Sequence, residues 1–560
     1  MKKMKYIVIA VSLFLGLTLS SCHDFFNVGS NDVLMEEDYP TDLSELYGGY
    51  WGIAAKMQAV ADQAIFLEGI RGDLLEPTQN ASNDILDLYY YREDGRNAFA
   101  DPLGFYEVVL NVNDFLSHAV DFYDKNPNVL DKATFDAILS GAVRYKCWAY
   151  LMLAKIYGEA VWMDNTITEY DASVSYPTIK FDELIQKCID LVENGTTVNG
   201  HKIDGKQDVR WTDILKSSDL QWNRICPTAD CLLTELYLYA GQYQQVIDHG
   251  FAVLRSGAAD SESKPSFQIT KSEWKGEWVD LFGDPYGKSK WRMEYVCSLP
   301  YSYELNETNH LIDYFSNDAG SHYLLRPSQA AMDRFNAQIT EGGGMGDTYR
   351  GNGCTFKQIN GDWTIYKYTR TFYPDNLYRN EPLIGLYRAP DIHFMLVEAM
   401  IQLGELYEST YLFDGGIESY YSPTEGKFID RLDAQGNVIA KLSDFPVTLY
   451  SSNSDGSCQG IRGRVGLKRL GETFLKNAAA AGEDLEYKQQ YMDSLLIEET
   501  CLESAAEARA YYTMVRIAKR WNKPEIVADR VSAKYPEEYR AAIRAKLMNP
   551  DNWFIKRNLE

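Results

Sequence analysis

Ala229-Asp-Cys-Leu-Leu-Thr-Glu-Leu-Tyr-Leu-Tyr-Ala240, then Gly241-Gln-Tyr243, then Gln244-Gln-Val-Ile-Asp-His-Gly-Phe-Ala-Val-Leu254, is the stretch that decides the fold. Its first half offers Leu233, Leu236 and Tyr237 at three- and four-residue steps. Its second half offers Val246, Ile247 and Phe251 at the same steps, which is helical periodicity on both sides of a Gly-x-Tyr turn. This is the helix–turn–helix grammar of a tetratricopeptide repeat. A single hairpin cannot bury both of its faces, so several must stack.

Working outward, Asp391–Leu406 repeats the first half of that unit, with His393, Leu396, Val397, Ala399, Met400 and Leu403 before Gly404-Glu-Leu. Ala142–Gly158 and Ala505–Arg520 are looser relatives. Gly158 closes the former, whose Tyr145, Trp148, Met152 and Ile156 keep the helical step. Further helices are predicted at Leu43–Phe66 after an Asp42 cap, at Phe105–Tyr123 and at Asp182–Val192. Long insertions at 70–104, 257–390 and 408–460, rich in Gly, Asn, Asp, Ser, Tyr and Trp, interrupt the array. They hold strand-like runs at Arg292–Leu299 and Thr364–Thr371, and a hairpin turn at Asp433-Ala-Gln-Gly-Asn-Val-Ile439. The expected fold class is mainly α: tetratricopeptide-like helical hairpins with a large, irregular, loop-rich subdomain containing short strands.

The N-terminus sets the location. Lys2, Lys3 and Lys5 precede an apolar run, Tyr6 to Leu19, which is secretory-signal grammar. The run is shorter than the roughly 20 residues a membrane-spanning helix needs. Leu19-Ser20-Ser21-Cys22 resembles a bacterial lipobox, in which Cys22 is acylated and becomes the first mature residue. Residues 1–21 are thus read as a lipoprotein signal and 22–40 as a lipid-anchored tether. Residues 41–560 form the body, with 41–256 and 386–560 as helical scaffold and 257–385 as loop-rich insertion.

The signal carries three of the 55 basic residues, so its removal moves the net charge from −25 to −28. Such a surface repels nucleic acid and anionic headgroups, and suits neutral sugars or basic ligands. Apart from Cys22, the cysteines (147, 188, 226, 231, 297, 354, 458 and 501) show no CxxC pairs or zinc spacing. Cys147, Cys188, Cys231 and Cys501 sit in apolar helical runs, where a buried free thiol is the common state. No disulfide is assigned. Seven dispersed histidines form no HExxH, and the Asp433 loop lacks the closing Glu of an EF-hand, so neither metal nor cofactor is expected.

Four segments carry a family resemblance. They are Cys22-His-Asp-Phe-Phe-Asn-Val28; Leu151-Met-Leu-Ala-Lys-Ile-Tyr-Gly158; Leu386-Tyr-Arg-Ala-Pro-Asp-Ile-His-Phe-Met-Leu-Val-Glu-Ala399; and Glu498–Arg520 followed by Asn549-Pro-Asp-Asn-Trp-Phe554. In this order they resemble the SusD/RagB family of outer-membrane nutrient-binding lipoproteins. One departure is Ala505-Ala-Glu-Ala-Arg-Ala-Tyr-Tyr512, where the family commonly has Phe-Glu-Gly-x-Arg-Trp-Phe-Asp. Another is the lack of an acidic run after Cys22. The resemblance implies a surface-exposed outer-membrane protein without catalysis, which holds an oligosaccharide for a partner TonB-dependent, SusC-like transporter.

Candidate ligand residues follow from sugar chemistry: flat rings for C–H-rich faces, amides and charged groups for hydroxyls. One segment offers Arg71, Asp73, Asn83, Tyr89, Tyr90 and Tyr91, and the resemblance ranks it first. A consecutive Tyr run cannot all face one core, so at least one hydroxyl should reach solvent. A second offers Trp274, Trp278, Tyr286 and Trp291. Gly342–Gly353 lacks the Gly-Lys-Ser/Thr ending of a phosphate-binding loop, and reads as a flexible loop presenting Tyr349 and Arg350. Adjacent acids such as Glu498-Glu499 point apart on a helix, and no Gly-x-Ser-x-Gly elbow occurs, so an enzyme is not expected. Peptide capture is the alternative, favoured by the negative charge, and a surface glycoside hydrolase the third reading.

Overall fold

The computed structural model describes residues 39–165, 176–256, 294–369 (except 306, 308 and 319), 381–449 and 460–556, with positions 267, 269, 278, 281 and 282. The signal, Cys22 and most of the tether lie outside the described residues.

Helix α1 (Leu43–Arg71) starts where the Asp42 carboxylate accepts from the amide of Glu45, and it outruns its expected end at Phe66. After the short α2 (Asn83–Tyr89) come α3 (Leu103–Lys125) and α4 (Lys132–Tyr157). Asp131 caps α4, and Gly158 ends it with φ +77°, a left-handed stop at the expected place. The start is ten residues earlier than the sequence suggests. The helix is buried without a break from Ala137 to Tyr157, and an all-round buried helix blurs its periodicity. The deciding hairpin is α6 (Ala229–Tyr239) and α7 (Tyr243–Ser256), preceded by α5 (Phe181–Glu193); Gly241 turns it with φ +70°.

The chain then leaves for its long insertion and returns as α8 (Ala389–Leu403). This helix packs directly on α7, as the next repeat would. Gly250 permits the approach: a Cβ there would stand 2.8 Å from Leu396 Cδ2. Helices α9 (Leu485–Glu503), α10 (Ala510–Trp521), α11 (Glu525–Ser532) and α12 (Glu537–Leu547) continue the array. Each helix from α3 to α12 packs on the next, while α1 lies across α3, α4 and α10. The Ala505–Arg520 reading needs correction: Ala506 and Ala508 take positive φ, so a tight turn precedes α10.

Strands are short and, among the described residues, every sheet is a two-stranded pair. Those in or paired with the long insertion are β1 (Leu75–Pro77), β2 (Tyr295–Leu299), β3 (Leu325–Pro327), β4 (Phe356–Ile359), β5 (Asp362–Ile365) and β6 (Ile384–Arg388). Antiparallel β2 and β6, with Ile384 opposite Leu299, close off the stretch of the insertion between them just before α8. A short helix, Gln329–Ala337, also lies within it. The Asp433 turn forms as read, with the carboxylate accepting from the amides of Gln435 and Asn437. All seven described cysteines are buried, with no disulfide among them, and no described helix is long and apolar enough to cross a membrane.

Where the insertion meets α9, ionised side chains replace oil. Glu499 and Glu503 stand one turn apart on α9, with Glu507 in the turn beyond. Arg350 pairs with Glu499 at 2.7 Å, with Glu503 at 3.0 Å and with Asp347 at 2.6 Å. Arg388 pairs with Glu294 at 2.7 Å and Glu507 at 2.6 Å. Arg464 joins Glu294 to Glu503, Arg462 binds Glu499, and Lys367 binds Glu507. Five cations thus face five carboxylates, all buried.

Burial alone would raise the Glu503 carboxyl, but Arg464, Arg388 and Arg350 outweigh it and hold it at about 2. Glu398 on α8 is treated likewise by Arg516 and Arg520 of α10 and also sits at about 2. A carboxyl depressed below its ordinary 4.5 contributes stability that is complete above that pH and lost as the folded value is approached. The melting temperature should therefore fall steeply as pH drops from about 4.5 to 2; a flat profile there would contradict ionised partners. Glu503→Gln should lower the unfolding free energy by about 3–5 kcal/mol in urea titrations. A loss below about 1 kcal/mol would mean these pairs behave as solvated surface contacts.

Candidate functional site

The described residues between 300 and 323 run alongside the second half of α1, fixed at successive turns. The Gln58 side chain donates to the carbonyl of Pro300, and the Tyr301 hydroxyl donates to the carbonyl of Gln58 at 2.6 Å. One turn on, Asp62 accepts from the His310 amide at 2.6 Å and faces His310 Nδ1 at 2.9 Å. A further turn on, the Phe66 ring meets Tyr314 at 4.9 Å. Beyond the helix, β1 pairs with β3, Thr78 donates to the carbonyl of Tyr323, and Asn80 donates to that of His322 at 2.9 Å.

From the other side, the loop after α2 is held against the same flank. Asn97 donates to the Asp84 carbonyl at 2.7 Å, and Gln63 donates to the carbonyls of Phe99 and Asp101 at 3.1 and 2.9 Å. Phe99 consequently stacks on Phe66 at 5.2 Å and lies 6.4 Å from Tyr314, which stacks with His310 at 5.7 Å. The result is a ledge of half-exposed Phe99 and Tyr314 and exposed His310, with exposed Tyr303 on the same segment and Gln63, Asn309 and Asp101 available as polar neighbours. The hydrogen bond that Asp62 accepts raises the His310 pKa against the opposing effect of burial. Burial raises the Tyr314 phenol, which keeps it neutral as a hydroxyl donor. Flat rings beside amides and one imidazole suit a polyol ring. Among the described residues no cluster of His, Cys, Asp and Glu could hold a metal ion.

The residues singled out in the sequence are divided by the structure. Arg71 is 2% exposed and works inside: it pairs with Glu93 at 3.0 Å, donates to the Asn552 carbonyl at 2.6 Å and covers the Tyr91 ring at 3.8 Å. Asp73 is buried between Arg334 at 2.7 Å and Arg530 at 2.8 Å, not paired with Arg71. Arg350 belongs to the buried ion network, which removes it from any loop rim. Trp278 is 1% exposed, with its ring 5.4 Å from Phe282. These four leave no face for a ligand. Tyr349 is half-buried. Trp274, Tyr286 and Trp291 lie outside the described residues.

The tyrosine run splits as a strictly local argument would have it. Tyr89 and Tyr91 are buried, while Tyr90 stands half-exposed against Tyr539 at 5.2 Å, with the Arg92 guanidinium over it at 4.9 Å. Asn83 is exposed at the start of α2. Asn83 and Tyr90 therefore remain accessible, while Phe99, Tyr303, His310 and Tyr314 are additions that sequence reasoning missed. A signal existed: Asp62, an acid inside an apolar helix, needs a partner, and Asn309-His310 supplies it.

No family model matches the chain, and no curated protein matches it by sequence. Solved structures do. A SusD superfamily protein from Bacteroides vulgatus ATCC 8482 aligns over 90% of this chain and 91% of its own, with TM-score 0.57 and 13% identity. The chain has the SusD-like fold. Surface glycan-binding protein A from Bacteroides uniformis aligns over 91% of this chain and 95% of its own, with TM-score 0.55 and 15% identity. A laminarin-binding SusD-like protein aligns over 93% of this chain and all of its own, with TM-score 0.54 and 13% identity. The SusD-like fold thus spans scaffold and insertion together.

Proposed function

We propose that this chain is a SusD/RagB-family surface lipoprotein that binds an oligosaccharide without cleaving it and passes it to a TonB-dependent, SusC-like transporter. The ring ledge along α1 is the observation that carries the reading. Phe99, Tyr314 and His310 present flat faces beside amide and carboxylate groups, an arrangement suited to stacked sugars and their hydroxyls. Support also comes from two structural neighbours of the same fold, one described as laminarin-binding and one as surface glycan-binding. Tyr90, Asn83 and Tyr303 would extend contact along a longer chain. The anchor at Cys22 and the tether would keep the body at the outer membrane, with several acyl chains giving durable attachment.

Net charge favours one other reading, capture of basic peptides by a RagB-like relative. Screening separates the two, because charge-led binding weakens with salt and neutral-sugar binding does not. Isothermal titration against a panel of neutral glycans should find a ligand whose affinity is insensitive to salt. Tyr314→Ala should weaken that ligand by about tenfold or more, equivalent to losing about 1.4 kcal/mol of stacking. Silence across the panel together with salt-sensitive binding of basic peptides would replace the glycan reading. Release of shortened sugars by the pure protein would overturn the non-catalytic one.

A further inference from the structure

A cavity of about 500 Å³ opens between α5, α6 and α10, lined by elements other than those that build the ring ledge. Rings form much of its wall: Phe181 from α5, Tyr239 from α6, Tyr512 from α10 and Phe554 from the C-terminal segment. Four cations line it, Lys155, Arg516, Lys519 and Arg520, against one carboxylate, Asp182. In a chain of net charge −25 this is a local reversal of sign. The acids that balance Lys155, Arg516 and Arg520, namely Glu235, Glu398 and Asp493, are buried and do not line this cavity.

Two of the cations hold donors in reserve. Lys155, 4% exposed, spends one of its three N–H groups on Glu235 at 2.9 Å, and its ammonium stands 5.0 Å from the centre of the Tyr512 ring. Burial pulls that ammonium down to about 8 while Glu235 pulls the other way, so it is charged at neutral pH. Arg516 grips Glu398 through Nε and Nη2 at 2.9 and 2.7 Å and lies over Tyr239, which leaves Nη1 without a partner among the described residues. The Tyr239 hydroxyl likewise finds none. The volume falls within the range of small-molecule sites, which combine apolar walls with a few convergent polar groups.

We infer that this cavity is a second ligand site, for a ring compound carrying one carboxylate, with its ring against Phe181, Tyr239 and Phe554 and its carboxylate on Lys155 and Arg516. One carboxylate supplies the acceptors these two reserve donors need. Acidic sugars and aromatic acids share that chemistry. The site stands independently of the ring ledge.

Titration of the intact protein with glucuronate, benzoate and glucose tests it. Gln186, exposed at the cavity mouth and bonded only to Asp190, can be replaced without touching the buried charges. At least one of the two acids should bind, glucose should not compete, and Gln186→Trp should weaken binding by about tenfold or more. Lys155→Met should do the same. Glucuronate alone would identify an acidic sugar as the source, and benzoate alone an aromatic acid. Failure of both acids to bind, or binding untouched by Gln186→Trp, overturns the inference.

Discussion

Ten ionised side chains meet out of water where α9 passes under the insertion, and the rest of the body is arranged around that meeting. Glu294 precedes β2, Asp347 and Arg350 belong to the glycine-rich loop, and Arg388 ends β6. Lys367 arrives from elsewhere in the insertion and Arg462 and Arg464 from the segment that precedes α9, while Glu499, Glu503 and Glu507 come from α9 and its end. Each bare charge in the interior would cost several kcal/mol, so the charges tolerate one arrangement of these segments and penalise the others. Apolar packing could hold the pieces together equally well; it would not fix their register as strictly.

That constraint explains how an interrupted helical array supports an irregular face. The repeats from α3 to α10 need only their neighbours, which is why α8 can resume on α7 after a long excursion. The excursion is tied back at three levels: the β2–β6 pair, the ion network, and the run of bonds from Gln58, Asp62 and Phe66 to residues 300–314. The last of these turns α1 into a ruler. Successive turns of one helix set the spacing of the rings that form the ledge, so the ledge inherits the rigidity of α1 although Phe99 and Tyr314 sit in single-turn helices outside it. A rigid platform suits stacking, because little ordering is needed when a ligand arrives.

Much of the scaffold was legible because its signals are local. Gly158 and Gly241 end helices where the chain must take positive φ, and Asp42 caps the helix that follows it. Starts were less legible: α4 is buried all round, so its first turns gave no face to read. The ion network was not legible, since Arg350, Arg388 and Arg464 look like surface residues until their distant partners are known. Arg71 and Asp73 misled for the same reason. A charged pair after an apolar helix suggests a polar rim, but here Arg71 ties the loop after α2 to Asn552, and Asp73 joins Arg530 and Arg334. The ledge depends on contacts some 250 residues apart, as between Asp62 and His310, which no local pattern encodes.

Frame and face are thus one object, with helices for rigidity, buried charges for register and rings for contact. Hydrogen–deuterium exchange with and without a bound neutral oligosaccharide tests this most directly. Protection should appear in residues 78–101 and 300–323 together, with α9 unchanged because its network is already closed. Protection of only one of those segments, or of α9 alone, would contradict a ligand face built by docking both segments on α1.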